Sequence, residues 1–355
     1  MRWSSGLAVV GVAFVMASAC GADRQPLWES DNPVSPLPPP PFGIRARLTD
    51  LKEPPTPERV RLGRWLFFDA RLSEDKAQSC ATCHRPDHGY AEPAPVSTGA
   101  NGVKTRRNAP GFVNMAWATP PLFYWDGRAE TLEGQTMGAT EKPVEAGALH
   151  QAKPMADAIG ALRVYRRYFT EAFGTPDVTA ERVAKALADY LRTCTSGDSA
   201  WDRWKRGADQ KAVSDAVKAG DALFAGKAGC AACHSGDAFT DRRFHNLGVG
   251  WQAPNGTFAD QGRFAVTSAE GDRGAFRTPP LRDVAASAPY MHDGSLATLR
   301  QAVEWHLRGG RKNPGLDPLL KPVSVTNAEV TALVMFLESL TSLRPIDTGP
   351  VTFPK

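Results

Sequence analysis

Two short stretches carry residue types that can do covalent chemistry: Cys80-Ala81-Thr82-Cys83-His84 and Cys230-Ala231-Ala232-Cys233-His234. Two thiols with a two-residue spacer and a histidine directly after them form the pattern that attaches c-type haem. The thiols make thioethers with the haem vinyl groups, and the short spacer lets the adjacent imidazole reach the iron as proximal ligand. From 6 Cys and 7 His in 355 residues, about 0.002 such patterns are expected by chance. Two are present, so two covalent haems are expected. A four-cysteine zinc ribbon wants roughly 15–20 residues between its pairs, whereas 146 residues separate Cys83 from Cys230. A dithiol redox motif sits in a thioredoxin-like βαβ setting, which neither flank shows.

The elements that must position these loops read as helices. Thr56-Pro57-Glu58 is a helix start with proline just inside it, and Leu62, Trp65 and Leu66 then share a face. An internal repeat appears here. Val60-x-x-Gly63-x-x-Leu66-Phe67 precedes the first haem motif, and Val217-x-x-Gly220-x-x-Leu223-Phe224 precedes the second. One helix-then-haem unit used twice predicts two cytochrome c-like modules. Val183, Leu187, Tyr190, Leu191 and Cys194 recur at helical spacing, which makes Cys194 a small buried apolar residue. Thr326 and Glu329 form a capping box before Val330, Leu333, Val334, Leu337 and Leu340. No sustained strand alternation is visible. The expected class is mainly α, two cytochrome c-like haem domains with long ordered loops.

At 355 residues the chain is long enough for two domains. With 42% hydrophobic and 23% charged residues a globular fold is expected. The net charge of +4 is small, would be roughly cancelled by four haem propionates, and forms no basic stripe that would point to nucleic acid. Residues 1–20 read as an export signal. Arg2 supplies the positive start, and Leu7 to Met16 form an apolar run too short to span a bilayer comfortably. Ala17-Ser18-Ala19-Cys20 resembles a bacterial lipobox without its usual leucine, so lipidation of Cys20 and ordinary cleavage beside Ala19 both stay open. Either route leads to the periplasm. Residues 21–45 are proline-dense and predict an extended tether. A first haem domain over 46–197 and a second over 198–345 complete the expected organisation.

The chain resembles the bacterial di-haem cytochrome c peroxidases and their MauG-like relatives from about Pro57 to Leu343. The motifs that carry this are Leu66-Phe67-Phe68-Asp69, Arg107-Asn108-Ala109-Pro110, Tyr124-Trp125-Asp126-Gly127-Arg128 and Leu132-Glu133-Gly134-Gln135. Pro143-Val144-Glu145, Asp260-Gln261-Gly262-Arg263-Phe264 and Pro289-Tyr290-Met291-His292-Asp293-Gly294 continue it. The resemblance implies that the N-terminal haem reacts with hydrogen peroxide beside Gln135 and Glu145. Cleaving the O–O bond needs a proton moved from one oxygen to the other, which a carboxylate in a partly apolar pocket can do. It implies a bridging tryptophan at Trp125, which can relay electrons between the haems. It also implies a calcium site made by Asn108 with the carbonyls of Ser287 and Pro289, an all-oxygen set suited to that ion.

The departures from the family pattern matter more. Its pocket proline is Ala139 here. The loop histidine that closes the reactive haem in typical peroxidases is Ala100, and neither His88 nor His150 is in that register. The distal ligand of the second haem, Met in peroxidases and Tyr in MauG, is His306, which predicts bis-histidine ligation and a lower potential than Met gives. His245 and His292 match positions that support the haem surround. Two enzyme roles are implied. One removes peroxide with electrons from a small cytochrome or cupredoxin. The other, which Ala100 and His306 favour, resembles MauG and the methanobactin-associated MbnH enzymes in oxidising a secreted partner protein. A non-catalytic di-haem carrier or redox sensor is the alternative of a different class, and it would need neither Gln135 and Glu145 nor an open iron.

Overall fold

The computed structural model describes residues 1, 26–73, 76–99, 102–138 and 152–355. The signal segment through Cys20, Ala100, Ala139, Glu145 and His150 lie outside them. Twelve helices are formed among the described residues. The first six are α1 (Leu27–Asp31), α2 (Pro57–Phe68), α3 (Cys80–Cys83), α4 (Leu132–Thr136), α5 (Ala152–Ala161) and α6 (Arg163–Phe173). The others are α7 (Ala180–Thr193), α8 (Ala200–Lys205), α9 (Asp215–Ala225), α10 (Phe264–Thr267), α11 (Leu299–Leu307) and α12 (Asn327–Glu338). Among the described residues sheet is confined to two antiparallel pairs of two-residue strands, β1 (Phe244–His245) with β4 (Phe276–Arg277) and β2 (Trp251–Gln252) with β3 (Thr257–Phe258). The fold is mainly α.

The caps form where the sequence puts them. The Thr56 hydroxyl accepts from the Arg59 N–H with Pro57 in the first turn, and Thr326 and Glu329 cap each other's backbone N–H groups. Two apolar clusters follow. One gathers Leu62, Trp65, Phe67, Tyr165, Phe169, Val183, Leu187 and Cys194. The other gathers Trp201, Phe224, Phe239, Leu333, Phe336 and Leu340.

Each cluster is built on one helix pair, and the internal repeat explains both. α2 crosses α7 at Gly63, where a Cβ would overlap the carbonyl oxygen of Ala186 and stand 2.9 Å from the Tyr190 Cβ. α9 crosses α12 at Gly220, where a Cβ would overlap the carbonyl oxygen of Ala332 and stand 2.8 Å from the Phe336 Cβ. The aromatic four residues after each glycine closes the contact. Phe67 meets Tyr190 at 5.2 Å between ring centres, and Phe224 meets Phe336 at 4.8 Å. Only glycine permits backbone-to-backbone approach of this kind.

The proline-dense segment differs from the expected tether. Trp28 donates its indole N–H to the Tyr168 hydroxyl at 2.7 Å, and that hydroxyl donates to Glu29 at 2.8 Å. The Asp198 N–H donates to the Phe42 carbonyl at 2.7 Å. Residues 26–45 therefore lie along the body. Proline content stiffens a chain without detaching it, and Trp28 and Glu29 supply the anchors. The C-terminal tail returns to the same region. Asp347 takes Arg64 in a two-pronged pair at 2.8 to 3.1 Å and accepts from the Tyr190 hydroxyl at 2.9 Å.

Adding a methyl group at either crossing forces the helices apart. Gly63→Ala and Gly220→Ala should each cost about 1–3 kcal/mol or more of stability, measured by chemical denaturation with both haems attached. Changes within about 0.5 kcal/mol, the usual range for a surface site, would contradict the crossing.

Candidate functional site

The two attachment motifs fold alike. Cys80 to Cys83 make one helical turn and Cys230 to Ala232 a tighter 3₁₀ turn. In both, the histidine N–H donates to the carbonyl of the first cysteine at 2.9 Å. The imidazole is then pinned from behind. Nδ1 of His84 lies 3.0 Å from the Tyr90 carbonyl, and Nδ1 of His234 lies 3.0 Å from the Phe239 carbonyl. A carbonyl only accepts, so Nδ1 carries the proton in each ring and Nε2 is left as a metal-binding lone pair. Burial holds the pKa of His84 and His234 below the usual value, to about 4 for His234, so both rings are neutral.

His306 has the same arrangement on α11. Its Nδ1–H donates to the Ala302 carbonyl of its own helix at 2.8 Å. Its ring centre is 6.4 Å from that of His234, with the planes at 69°. An axial imidazole bonds a metal at about 2.0 Å through a nitrogen about 1.1 Å from its ring centre, so two rings in line across one ion sit about 6.2 Å apart. The His234–His306 spacing fits an iron between them.

His245 is also near this loop but has no nitrogen to spare. Its Nδ1 meets Asp317 at 2.6 Å and its Nε2 meets Asp241 at 3.0 Å. The Cys233 sulfur, then Asp317 and Asp241, raise its pKa to about 10. A thioether at Cys233 removes the first of these and leaves two carboxylates to keep the ring charged. Cys233, Asp241 and His245 are close enough to hold a cation, yet the haem bond takes the sulfur. His292 stacks on Phe276 at 3.6 Å between ring centres, and His88 stands half-exposed beside Asp87.

The first motif opens onto a cavity of about 210 Å³, partly open to solvent. Cys80, Cys83 and His84 line it, together with Asn108, Trp125 and Gln135. Among the described lining residues His84 is the one imidazole. The Gln135 side-chain oxygen is buried without a hydrogen-bond partner, although such atoms are nearly always satisfied in folded proteins. α4 holds Gln135 in place through its Thr131 cap and through the Tyr124 hydroxyl, which donates to the Gln135 carbonyl at 2.7 Å. The fit to haem is good at both loops: two cysteines, an Nε2-presenting histidine, and either a cavity or a second Nε2 opposite.

Trp125 lines this cavity and is held from two sides. Its indole N–H donates to the Asn108 carbonyl at 2.9 Å, and its own carbonyl accepts from the Arg277 N–H at 2.8 Å. Arg107 locks the junction, donating to both oxygens of Asp260 at 2.6 and 2.9 Å and to Asp126 at 2.7 Å. Arg263 adds bonds to the carbonyls of Asp126 and Gly127. Three of the quoted motifs thus meet in one network. Its long-range pairings carry no local sequence signal, because the partners are up to 153 residues apart; beside the first loop the buried Glu92 accepts from Ser97.

Residues 57–210 match the family model described as di-haem cytochrome c peroxidase. The chain is 40% identical over 303 residues to the methylamine utilization protein MauG of Methylorubrum extorquens, covering 85% of this chain and 82% of that protein. It is 34% identical over 310 residues to the cytochrome c551 peroxidase of Pseudomonas aeruginosa, covering 85% and 84%. The crystal structure of a MauG-like protein associated with microbial copper homeostasis superposes with a TM-score of 0.74 at 30% identity, over 88% of this chain and 95% of that one. With two complete haem-attachment motifs and this likeness over most of its length, the chain belongs to the di-haem cytochrome c peroxidase family and is a peroxidase-class enzyme of two c-type haems.

Proposed function

We propose that this enzyme takes up hydrogen peroxide at the haem held by Cys80, Cys83 and His84 and draws the two electrons needed to reduce it to water from a side chain of a partner protein. Electrons would pass by the haem held by Cys230, Cys233, His234 and His306, with Trp125 as the relay. Two cytochrome c-like haem domains, 46–197 and 198–345, would each hold one haem. The observation that carries the reading is the inequality of the two sites. His234 faces a second neutral imidazole at iron-spanning distance, while His84 faces a cavity lined by an unpartnered Gln135 oxygen.

The haems, when bound, supply the iron that takes peroxide and stores the oxidising equivalents. The chain's own residues do the rest. Gln135 offers its oxygen to a peroxide O–H, and Glu145 moves the proton from one peroxide oxygen to the other. Ala100 leaves that haem open. Bis-histidine ligation lowers the potential of the second haem, which disfavours its reduction by a small cytochrome or cupredoxin. A Ca²⁺ ion at Asn108 and the carbonyls of Ser287 and Pro289 belongs to the same proposal. The Asn108 amide donates to the Ala94 and Glu92 carbonyls at 2.7 and 3.2 Å, leaving its oxygen for a cation. The export signal over residues 1–20 would send the enzyme to the periplasm, either lipidated at Cys20 or cleaved beside Ala19. Among the described residues no helix is long and apolar enough to cross a membrane.

Replacing Glu145 by Gln should leave both haems attached, by mass of the denatured chain, and slow the reaction with peroxide by a factor on the order of 10² or more. A near-normal rate would move the proton shuttle to another group. His306→Ala should turn the second haem from low-spin to high-spin in the optical spectrum, while His245→Ala should leave its spin state alone. A spin change in the second variant and none in the first would reverse their assignment.

A further inference from the structure

Four arginines among the described residues are 4% exposed or less: Arg107, Arg242, Arg277 and Arg282. Two are neutralised. Arg107 is held by Asp260 and Asp126, and Arg282 by both oxygens of Asp202 at 2.7 and 2.8 Å. The other two have no carboxylate. Arg242 reaches the Met115 sulfur at 3.8 Å. Arg277 donates its Nε–H to the Tyr124 carbonyl at 3.0 Å, and its Nη1 is buried with no partner. A buried, unpaired charge is strongly destabilising, and here two like charges lie close enough to repel. Burial, and for Arg277 then Arg242, pulls their pKa down, to about 10 for Arg242 and about 9 for Arg277.

Both lie in the seam between the haem loops. Arg242 follows Asp241, whose N–H donates to the Cys233 carbonyl at 2.7 Å, and its guanidinium reaches across to Met115 of the first cluster. Arg277 sits on β4, bonded through its backbone to Trp125 and through its side chain to Tyr124, two residues that line the first cavity. Anions are required here, and the groups bound on either side carry them. We propose that Arg242 and Arg277 form an anion subsite that would take propionate carboxylates of the covalently bound haems. The inference rests on the two-haem reading above. A guanidinium beside a propionate disfavours the ferric over the ferrous charge state, so the pair acts as a positioning and potential-setting device for the haems.

The test uses the doubly loaded protein with Arg242→Leu, Arg277→Leu and Arg277→Lys. Denatured mass comes first, because a wild-type chain with fewer than two haems overturns the two-haem reading itself. In loaded protein, resonance Raman propionate-bending bands should shift in the Leu variants. The midpoint potential of a haem should fall and become pH-dependent near neutrality, while Arg277→Lys should keep a potential closer to wild type. Should Arg277→Leu not fold, Arg242→Leu gives the same readouts, since its guanidinium bonds a methionine sulfur and no carboxylate among the described residues. Unchanged bands and potentials in a loaded Leu variant would overturn the proposal. So would wild-type potentials that follow added phosphate or chloride without any propionate-band change, because a soluble anion would then fill the subsite.

Discussion

One kind of hydrogen bond decides what the rest of this structure can do: an imidazole Nδ1–H given to a main-chain carbonyl. Three histidines make it, and the acceptors are fixed by the backbone at Tyr90, Phe239 and Ala302. Each ring then has a single tautomer and presents Nε2 forward. That bond is what separates His306 from His245, two residues of the same type in the same half of the chain. His245 spends both nitrogens on carboxylates and is left charged, so it braces the loop. The chain thus brings two imidazoles together beside the second loop and, among the described residues, one beside the first.

The two loops are joined by a polar seam within a mainly apolar body. Arg107, Asp126 and Asp260 form a satisfied triad there, and Trp125 is held at both its indole and its carbonyl. Bonding both the indole and the main chain of one residue restricts its motion. The buried charges on this seam are what a lone apoprotein core would avoid, because each costs desolvation that only a well-placed partner offsets. The family motifs around Asn108, Trp125 and Asp260 are therefore best read as one electrostatic unit assembled from distant segments.

The sequence made some of this legible and hid the rest for physical reasons. Cys-x-x-Cys-His is a local covalent requirement, so both haem loops could be read directly. The repeated Val-x-x-Gly-x-x-Leu-Phe is legible as a repeat, but that Gly63 and Gly220 exist for backbone contact with Ala186 and Ala332 appears only in three dimensions. Helix caps at Thr56 and Thr326 are local and were readable. The proline-dense segment misleads, since composition reports stiffness while docking depends on Trp28, Glu29 and a partner 140 residues away. Asp347 lies beyond any motif, yet it ties Arg64 to Tyr190. Phe336 faces α9 one residue before the apolar stripe position Leu337, and only the crossing at Gly220 explains its complete burial. Pairings across long separations, as in the seam, leave no pattern in a single chain.

The central claim is that one haem is axially open and the other closed by two histidines before any reduction. Electron paramagnetic resonance of the as-isolated diferric protein measures this directly. The account predicts one high-spin ferric signal, from the haem at His84, and one low-spin signal, from the haem between His234 and His306. Two low-spin signals would contradict it, because a further residue, such as His88 or His150, would then be closing the first haem.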